Sequence, residues 1–156
     1  ICSLHKEASA HLDDCEPGEY RWDQRYVSSS PILPPPPNRV HALMESLIEW
    51  SLAAGNSIAT ASLFHLVLED IHPFQDGNGR TGRIVLNFML MSAGFPPISM
   101  KADPQGVEAY YRAIDSFVRD TEHRDGSAMV DLVAHRLENS IGRRMIQLDQ
   151  QRTRPR

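Results

Sequence analysis

Cysteine is scarce in this sequence, with Cys2 and Cys15 as the whole complement. They stand too far apart for a CxxC motif and are too few for a disulfide framework, so they read as reduced or incidental thiols. Long hydrophobic runs are also missing. Nothing approaches the roughly 20 apolar residues needed to cross a bilayer, and no apolar stretch with a basic flank opens the chain, so no membrane partner is expected. Positive charge is not in excess either: 16 Lys and Arg against 20 Asp and Glu leave a net charge of −4, which argues against a nucleic-acid binder. The basic end formed by Arg143, Arg144, Arg152, Arg154 and Arg156 reads as a solvated helix end and frayed tail. Several familiar site patterns are absent as well. There is no G-x-x-x-x-G-K-[ST] loop, no H-E-x-x-H and no G-x-S-x-G elbow. The G-x-G at 77 to 79 does not follow a strand, which removes a dinucleotide fold.

What is present fits one domain with a real core: 156 residues, 41 % hydrophobic and 23 % charged. Residue 1 is Ile rather than Met, so the chain reads as a processed or excised piece whose address would lie upstream, with the cytoplasm as default. Leu4, Ala8 and Leu12 at fourfold spacing predict a short helix over residues 1 to 12. From Pro17 to Leu33 the pattern turns extended or hairpin-like around Tyr20, Trp22, Tyr26 and Val27, until prolines forbid regular pairing. Such an unpaired edge can dock an extended partner. The Pro34–Pro37 tract is either a polyproline ligand or, as preferred here, a stiff entry to a helix capped by Asn38.

Asn56 and Ser57 offer the next helix start, and SIATASLFHLVLEDI is apolar on every side, as a central buried helix would be. His65 within it reads as a core histidine. His72-Pro73 breaks this helix, and Ile84, Val85, Phe88 and Met89 restart one that AGFPP stops. Two amphipathic helices follow, over GVEAYYRAIDSFVRD and MVDLVAHRLENSIGRRMIQL, separated by RDGS as a turn with a serine cap. Six helices and a small β element make the expected fold mostly α. Residues 1–150 form a single domain and 151–156 a basic tail.

The stretch HPFQDGNGRTGR, residues 72 to 83, joins two of these helices and carries the chemistry. Gly77, Gly79 and Gly82 let backbone N–H groups approach an anion, and a helix N-terminus adds unpaired donors and partial positive charge. Arg80 and Arg83, three apart, share a helical face, with Asn87 four further on; two guanidinium forks suit a polyphosphate, though a solvated basic face is the bland alternative. Asp76 fits an anion site if a cation such as Mg²⁺ bridges it to the ligand, or it closes a turn or caps a helix. The neutral form of His72 can take a proton from an attacking hydroxyl at cellular pH. A base, a metal carboxylate and an anion cradle favour transfer from a nucleotide.

The stretch resembles the signature of the Fic family, H-P-F-x-[D/E]-G-N-G-R-x-x-R, with His72, Pro73, Phe74, Asp76, Gly77, Asn78, Gly79, Arg80 and Arg83 all matching. GEYR at 18 to 21, PPPPNRVHALMESLIEW at 34 to 50, NFMLMSAGFPPI at 87 to 98 and AYYRAI at 109 to 114 are also similar to family segments, so the likeness runs over about residues 4 to 141. It implies a Fic-type helical bundle with a small β-hairpin flap, transferring AMP from ATP to a Ser, Thr or Tyr hydroxyl of a target protein. Removal of AMP, or transfer of another phosphate moiety, is the enzymatic alternative, and a non-catalytic peptide-binding module a further one. By position, His72 would be the base, and Asp76 would hold Mg²⁺ on the α- and β-phosphates. Asn78 with the backbone at Gly77 and Gly79 would line the anion hole, Arg80 and Arg83 would hold the β- and γ-phosphates, and Thr81 and Gly82 count with the nucleotide-binding residues.

The resemblance also assigns the flap to about Tyr26–Leu33, with Ser29, Ser30, Pro31 and Ile32 docking the target. Tyr110 and Tyr111 would flank the nucleotide base, and Val118 stands where some relatives carry an adenine-binding Asn. An inhibitory pattern [S/T]-x-x-x-E-[G/N] has no convincing copy: TEHRDG at 121 to 126 fits only with Asp for Glu. The restraint is expected upstream or on another chain, and homodimerisation stays open.

Overall fold

The computed structural model describes residues 1–12, 16–27 and 33–152. Six helices follow in order: α1 (Cys2–Ser9), α2 (Pro37–Ala54), α3 (Ile58–Ile71), α4 (Asn78–Ser92), α5 (Pro104–Arg119) and α6 (Ser127–Arg152). None among the described residues is long and apolar enough to cross a membrane.

The ends of these helices are set by local chemistry. Ser57 accepts a hydrogen bond from the Thr60 N–H at 3.0 Å, starting α3 where the sequence predicts. Asn38 does not cap α2: the helix begins one residue earlier at Pro37, whose fixed φ and missing N–H suit a first helical position. Ser127 is likewise the first residue of α6 and not its cap, because the Asp125 carboxylate takes its N–H at 2.9 Å. The expected face of α1 is also corrected. Leu4 is exposed, and the buried residues are His5 and Ser9, which face the loop before α4.

Helix α3 is the axis of the bundle. One side packs Ala61 and Leu66 against Leu86 and Leu90 of α4, Phe117 of α5 and Met129, Val133 and Leu137 of α6. The other side packs Phe64, Leu68 and Ile71 against Val40, Met44 and Leu47 of α2 and Val85 of α4. Apolar burial on both flanks explains why the segment is hydrophobic all round.

The approach of α4 to α3 depends on Gly82. A methyl group there would come 2.7 Å from His65 Nδ1 and 3.0 Å from Glu69 Oε1, and the His65 ring is fully buried. Gly82 therefore packs helix on helix and does not face the cradle where the sequence pattern put it. Gly82→Ala gains about 1 kcal/mol in helix propensity but overpacks this contact. A net loss of about 2 kcal/mol is expected on urea denaturation.

The small β element is not seen among the described residues, and most of the expected flap, residues 28 to 32, lies outside them. Residues 16 to 27 run as irregular chain with Trp22 and Tyr26 exposed. Their polar groups go to separate partners: Arg21 N–H to the Pro73 carbonyl and Gln24 Nε2 to the Pro34 carbonyl. Prolines have no N–H to build the opposing half of a ladder. Ser29, Ser30, Pro31 and Ile32 lie outside the described residues.

Candidate active site

The loop from His72 to Gly77 joins the C-terminus of α3 to the N-terminus of α4. His72 caps α3 in the left-handed region, φ 50 and ψ 61, its N–H still bonded to the Leu68 carbonyl. Gly77, φ 76, supplies the second left-handed residue and accepts the first α4 bond, from Thr81 N–H at 2.9 Å. The N–H groups of Asn78, Gly79 and Arg80 thus precede the intrahelical ladder and point out of the helix end.

Three side chains hold the loop. Asn78 is buried and reciprocally bonded to one residue: it accepts from Phe74 N–H at 2.8 Å and donates to the Phe74 carbonyl at 2.9 Å. Both sides of its amide are thereby engaged in the loop, and its backbone N–H is what it offers at the helix end. Phe74 is fully buried and stacks on the His5 ring at 3.7 Å. His5 Nδ1 accepts the Gly18 N–H at 2.9 Å, and Nε2 lies 3.0 Å from the Asp76 carbonyl. A backbone N–H only donates and a carbonyl only accepts, so His5 is neutral with its proton on Nε2. Burial lowers its pKa in the same direction, against the Asp76 carbonyl and charge.

Arg21 is the third bracket. It is 2 % exposed, and its guanidinium donates to the carbonyls of His72 (2.8 Å), Asp23 (2.9 Å), Ile71 (3.3 Å) and Pro35. With its backbone N–H on Pro73, one residue spans Ile71, His72 and Pro73.

His72 itself is half-buried. Burial lowers its pKa, the Glu69 carbonyl bonded to the ring raises it, Arg21 lowers it and Asp76 raises it, with a net fall below the usual histidine value. The imidazole is therefore neutral at cellular pH, and a neutral ring keeps one nitrogen able to take a proton. Asp76 is exposed, and its Oδ1 accepts the Gly77 N–H at 2.5 Å.

The other expected residues separate. Arg83 lies over the start of α4, since a methyl group on Gly79 would come 3.1 Å from its Nη1. Arg80 turns the other way, Nη1 donating to the Ala8 carbonyl at the end of α1 at 2.7 Å and lying 2.8 Å from His11 Nε2. Thr81 is fully buried, and its hydroxyl has no hydrogen-bond partner among the described residues. Tyr110 is 1 % exposed, a core residue whose hydroxyl meets His65 Nε2 at 2.9 Å, Glu69 Oε1 at 3.3 Å and Arg83 Nη1 at 3.5 Å. Tyr111 is the exposed one of the pair, with Lys101 Nζ 4.3 Å above its ring. Val118 is buried in the core.

Sequence reasoning missed His5, Arg21, Glu69 and Lys101. Only Glu69 leaves a signal, because an acid in the last turn of an apolar helix opposes the helix dipole and needs a reason. As for a metal, no cluster of three His, Cys, Asp or Glu occurs among the described residues. A single exposed carboxylate, Asp76, beside a helix end with unpaired N–H groups would fit Mg²⁺, which takes one or two carboxylates and fills its other positions with phosphate oxygens and water.

Known proteins match both fold and loop. The model of the Fic/DOC family covers residues 1–90. A protein adenylyltransferase Fic from Nematostella vectensis is 34 % identical over 145 residues, 90 % of this chain and 32 % of that protein. Its counterpart in Drosophila melanogaster is 40 % identical over 102 residues, 63 % of this chain and 20 % of that protein. The solved structure of Fic-1 from C. elegans superposes with a TM-score of 0.80 at 27 % identity, covering 96 % of this chain and 43 % of that one. This chain thus spans about a third or less of these curated relatives. A family model that matches over half its length, on a loop held as described above, places the chain in the Fic/DOC family.

Proposed function

We propose that this chain is the catalytic domain of a protein adenylyltransferase, moving AMP from ATP to a hydroxyl of a target protein. The observation that carries the reading is the placement of a neutral, half-buried His72 at one end of a six-residue loop whose other end is the open N-terminus of α4, with Arg83 lying over it. The relatives' names support the same chemistry.

In this reading the triphosphate lies along the α4 N-terminus, its oxygens meeting the N–H groups of Asn78, Gly79 and Arg80. Arg83 takes the γ-phosphate, and Arg80 supports the β-phosphate by exchanging its bonds to α1. Asp76 would hold Mg²⁺, which would spread the phosphate charge. The free nitrogen of His72 takes the proton of the target hydroxyl, the hydroxyl oxygen bonds to the α-phosphorus, and the bond from that phosphorus to the β-phosphate bridge breaks, releasing pyrophosphate. Tyr111 offers an exposed ring beside the site for the base, while Tyr110 supports Arg83 from the core. The segment at Ser29, Ser30, Pro31 and Ile32 holds the target chain. Positioning and charge stabilisation, without a covalent enzyme intermediate, supply the rate.

The test is incubation with Mg²⁺, a cell lysate and ATP labelled on either the α- or the γ-phosphate. Protein-bound label is expected from the α-labelled nucleotide alone. Label from the γ position would indicate a kinase, and no transfer from either would refute the reading.

A further inference from the structure

A carboxylate lies beneath the proposed anion cradle. Glu69, one turn before His72 on α3, presses against the first turn of α4: methyl groups on Gly79 and Gly82 would come 3.5 and 3.0 Å from its Oε1. Its side chain is 11 % exposed. The groups facing it come from every neighbouring element. His65 Nε2 on α3 is 3.8 Å away, Arg83 faces it from α4, the Tyr110 hydroxyl of α5 donates to it at 3.3 Å, and Lys101 adds positive charge from the α4–α5 connection. Burial holds His65 down to about 3, so it is neutral, and burial raises Tyr110, which keeps its proton. Glu69 is thus the member of this group whose charge can change near neutrality.

Its position sets up a competition. With the cradle empty, ionised Glu69 is balanced by Arg83 and Lys101. A triphosphate engaging Arg83 draws on the same guanidinium and brings further negative charge to a poorly solvated acid, where charges interact more strongly than in water. Protonation removes the repulsion, and the neutral acid still accepts the Tyr110 hydroxyl bond.

We propose that Glu69 takes up a proton when a nucleoside triphosphate seats against Arg83, so that nucleotide binding is proton-linked. The proposal rests on the nucleotide reading above. Burial already pushes Glu69 up to about 7, against the pull of Arg83, Tyr110 and Lys101, so its free-state titration falls where the uptake can be measured. Added anionic charge raises this pKa further. Affinity therefore falls as pH rises through 7, by roughly fourfold between pH 7 and 8.5 for a rise of about one unit.

Isothermal calorimetry with a non-hydrolysable ATP analogue and Mg²⁺, at pH 7.5 in two buffers of different ionisation enthalpy, reads the proton directly. The unaltered chain is expected to take up roughly 0.5 proton per nucleotide. Glu69→Gln, which keeps an acceptor for Tyr110, is expected to take up none and to bind with an affinity flat in pH. Equal uptake in both proteins overturns the proposal. Should Glu69→Gln fold poorly, carbon-labelled glutamate in the unaltered chain serves instead: the Glu69 carboxyl titration is expected to move up by about one unit on nucleotide addition, and an unmoved titration overturns it. Absence of binding in both proteins would refute the nucleotide reading and this proposal with it.

Discussion

His72→Ala is expected to lower the rate of AMP transfer by roughly 10²–10⁴-fold, the usual range for a lost general base, while the Kd for MgATP changes less than threefold. The two effects separate because binding is assigned to the α4 N-terminus and Arg83, which do not touch the imidazole, whereas the proton is assigned to its free nitrogen. Single-turnover rates and equilibrium binding, measured on the same preparation, check both halves. The pH profile of the rate gives a second reading. A general base works when neutral, and burial depresses the His72 pKa. The rate should therefore hold level on acidification from pH 8 to 7 and fall only below the ordinary histidine value of about 6.5. A fall centred above that value would mean that the ring gains net stabilisation of its charged form and is not desolvated. The Glu69 linkage acts on nucleotide affinity, so saturating nucleotide keeps it out of this profile.

The second large effect is on stability. Arg21→Ala removes four guanidinium hydrogen bonds and leaves the buried carbonyl of Ile71 and the part-buried carbonyls of His72 and Pro35 without this donor. Bonds to charged donors are worth about 1.5–3 kcal/mol each, and desolvation of the arginine offsets part of the sum, so a loss of about 3 kcal/mol is expected. For a chain of this size that corresponds to a fall in Tm of roughly 10 °C, measured by thermal denaturation. Arg21→Lys should recover little of it, because one ammonium cannot present donors in the several directions these carbonyls require. Transfer activity should fall even in the folded fraction at low temperature, since the same bonds fix the two residues on which the base is mounted. A lysine variant of unaltered Tm and activity would show that Arg21 acts through charge alone.

Much of the loop is readable from adjacent residues. Ser57 before an apolar run, Pro73 after His72, and Gly77 where a left-handed residue is required each act over a few positions, so α3, the break and the start of α4 follow from short-range sterics and hydrogen bonding. The unpaired N–H groups and partial positive charge of the helix end are equally local, because they belong to any helix N-terminus. The extended or hairpin-like pattern expected from Pro17 onward shows, in its described part up to residue 27, where this reasoning stops. Aromatic and β-branched residues favour an extended chain, but a ladder needs a facing strand, and Arg21 and Gln24 give this segment other partners.

The direction each side chain takes was decided by the tertiary structure. Arg80 and Arg83 share a helical spacing, yet α1 draws one and the Tyr110–Glu69 group the other, so the pair diverges. Gly79 and Gly82 look alike in sequence, and only the approach of α3 separates a cradle glycine from a packing glycine. His5 and Arg21 act on partners 71 and about 50 residues away. No periodicity encodes such contacts. The sequence by itself determined the helices, the loop and the chemistry available there; long-range packing decided which groups face the cradle, because burial and charge pairing depend on neighbours that meet only when the chain is folded.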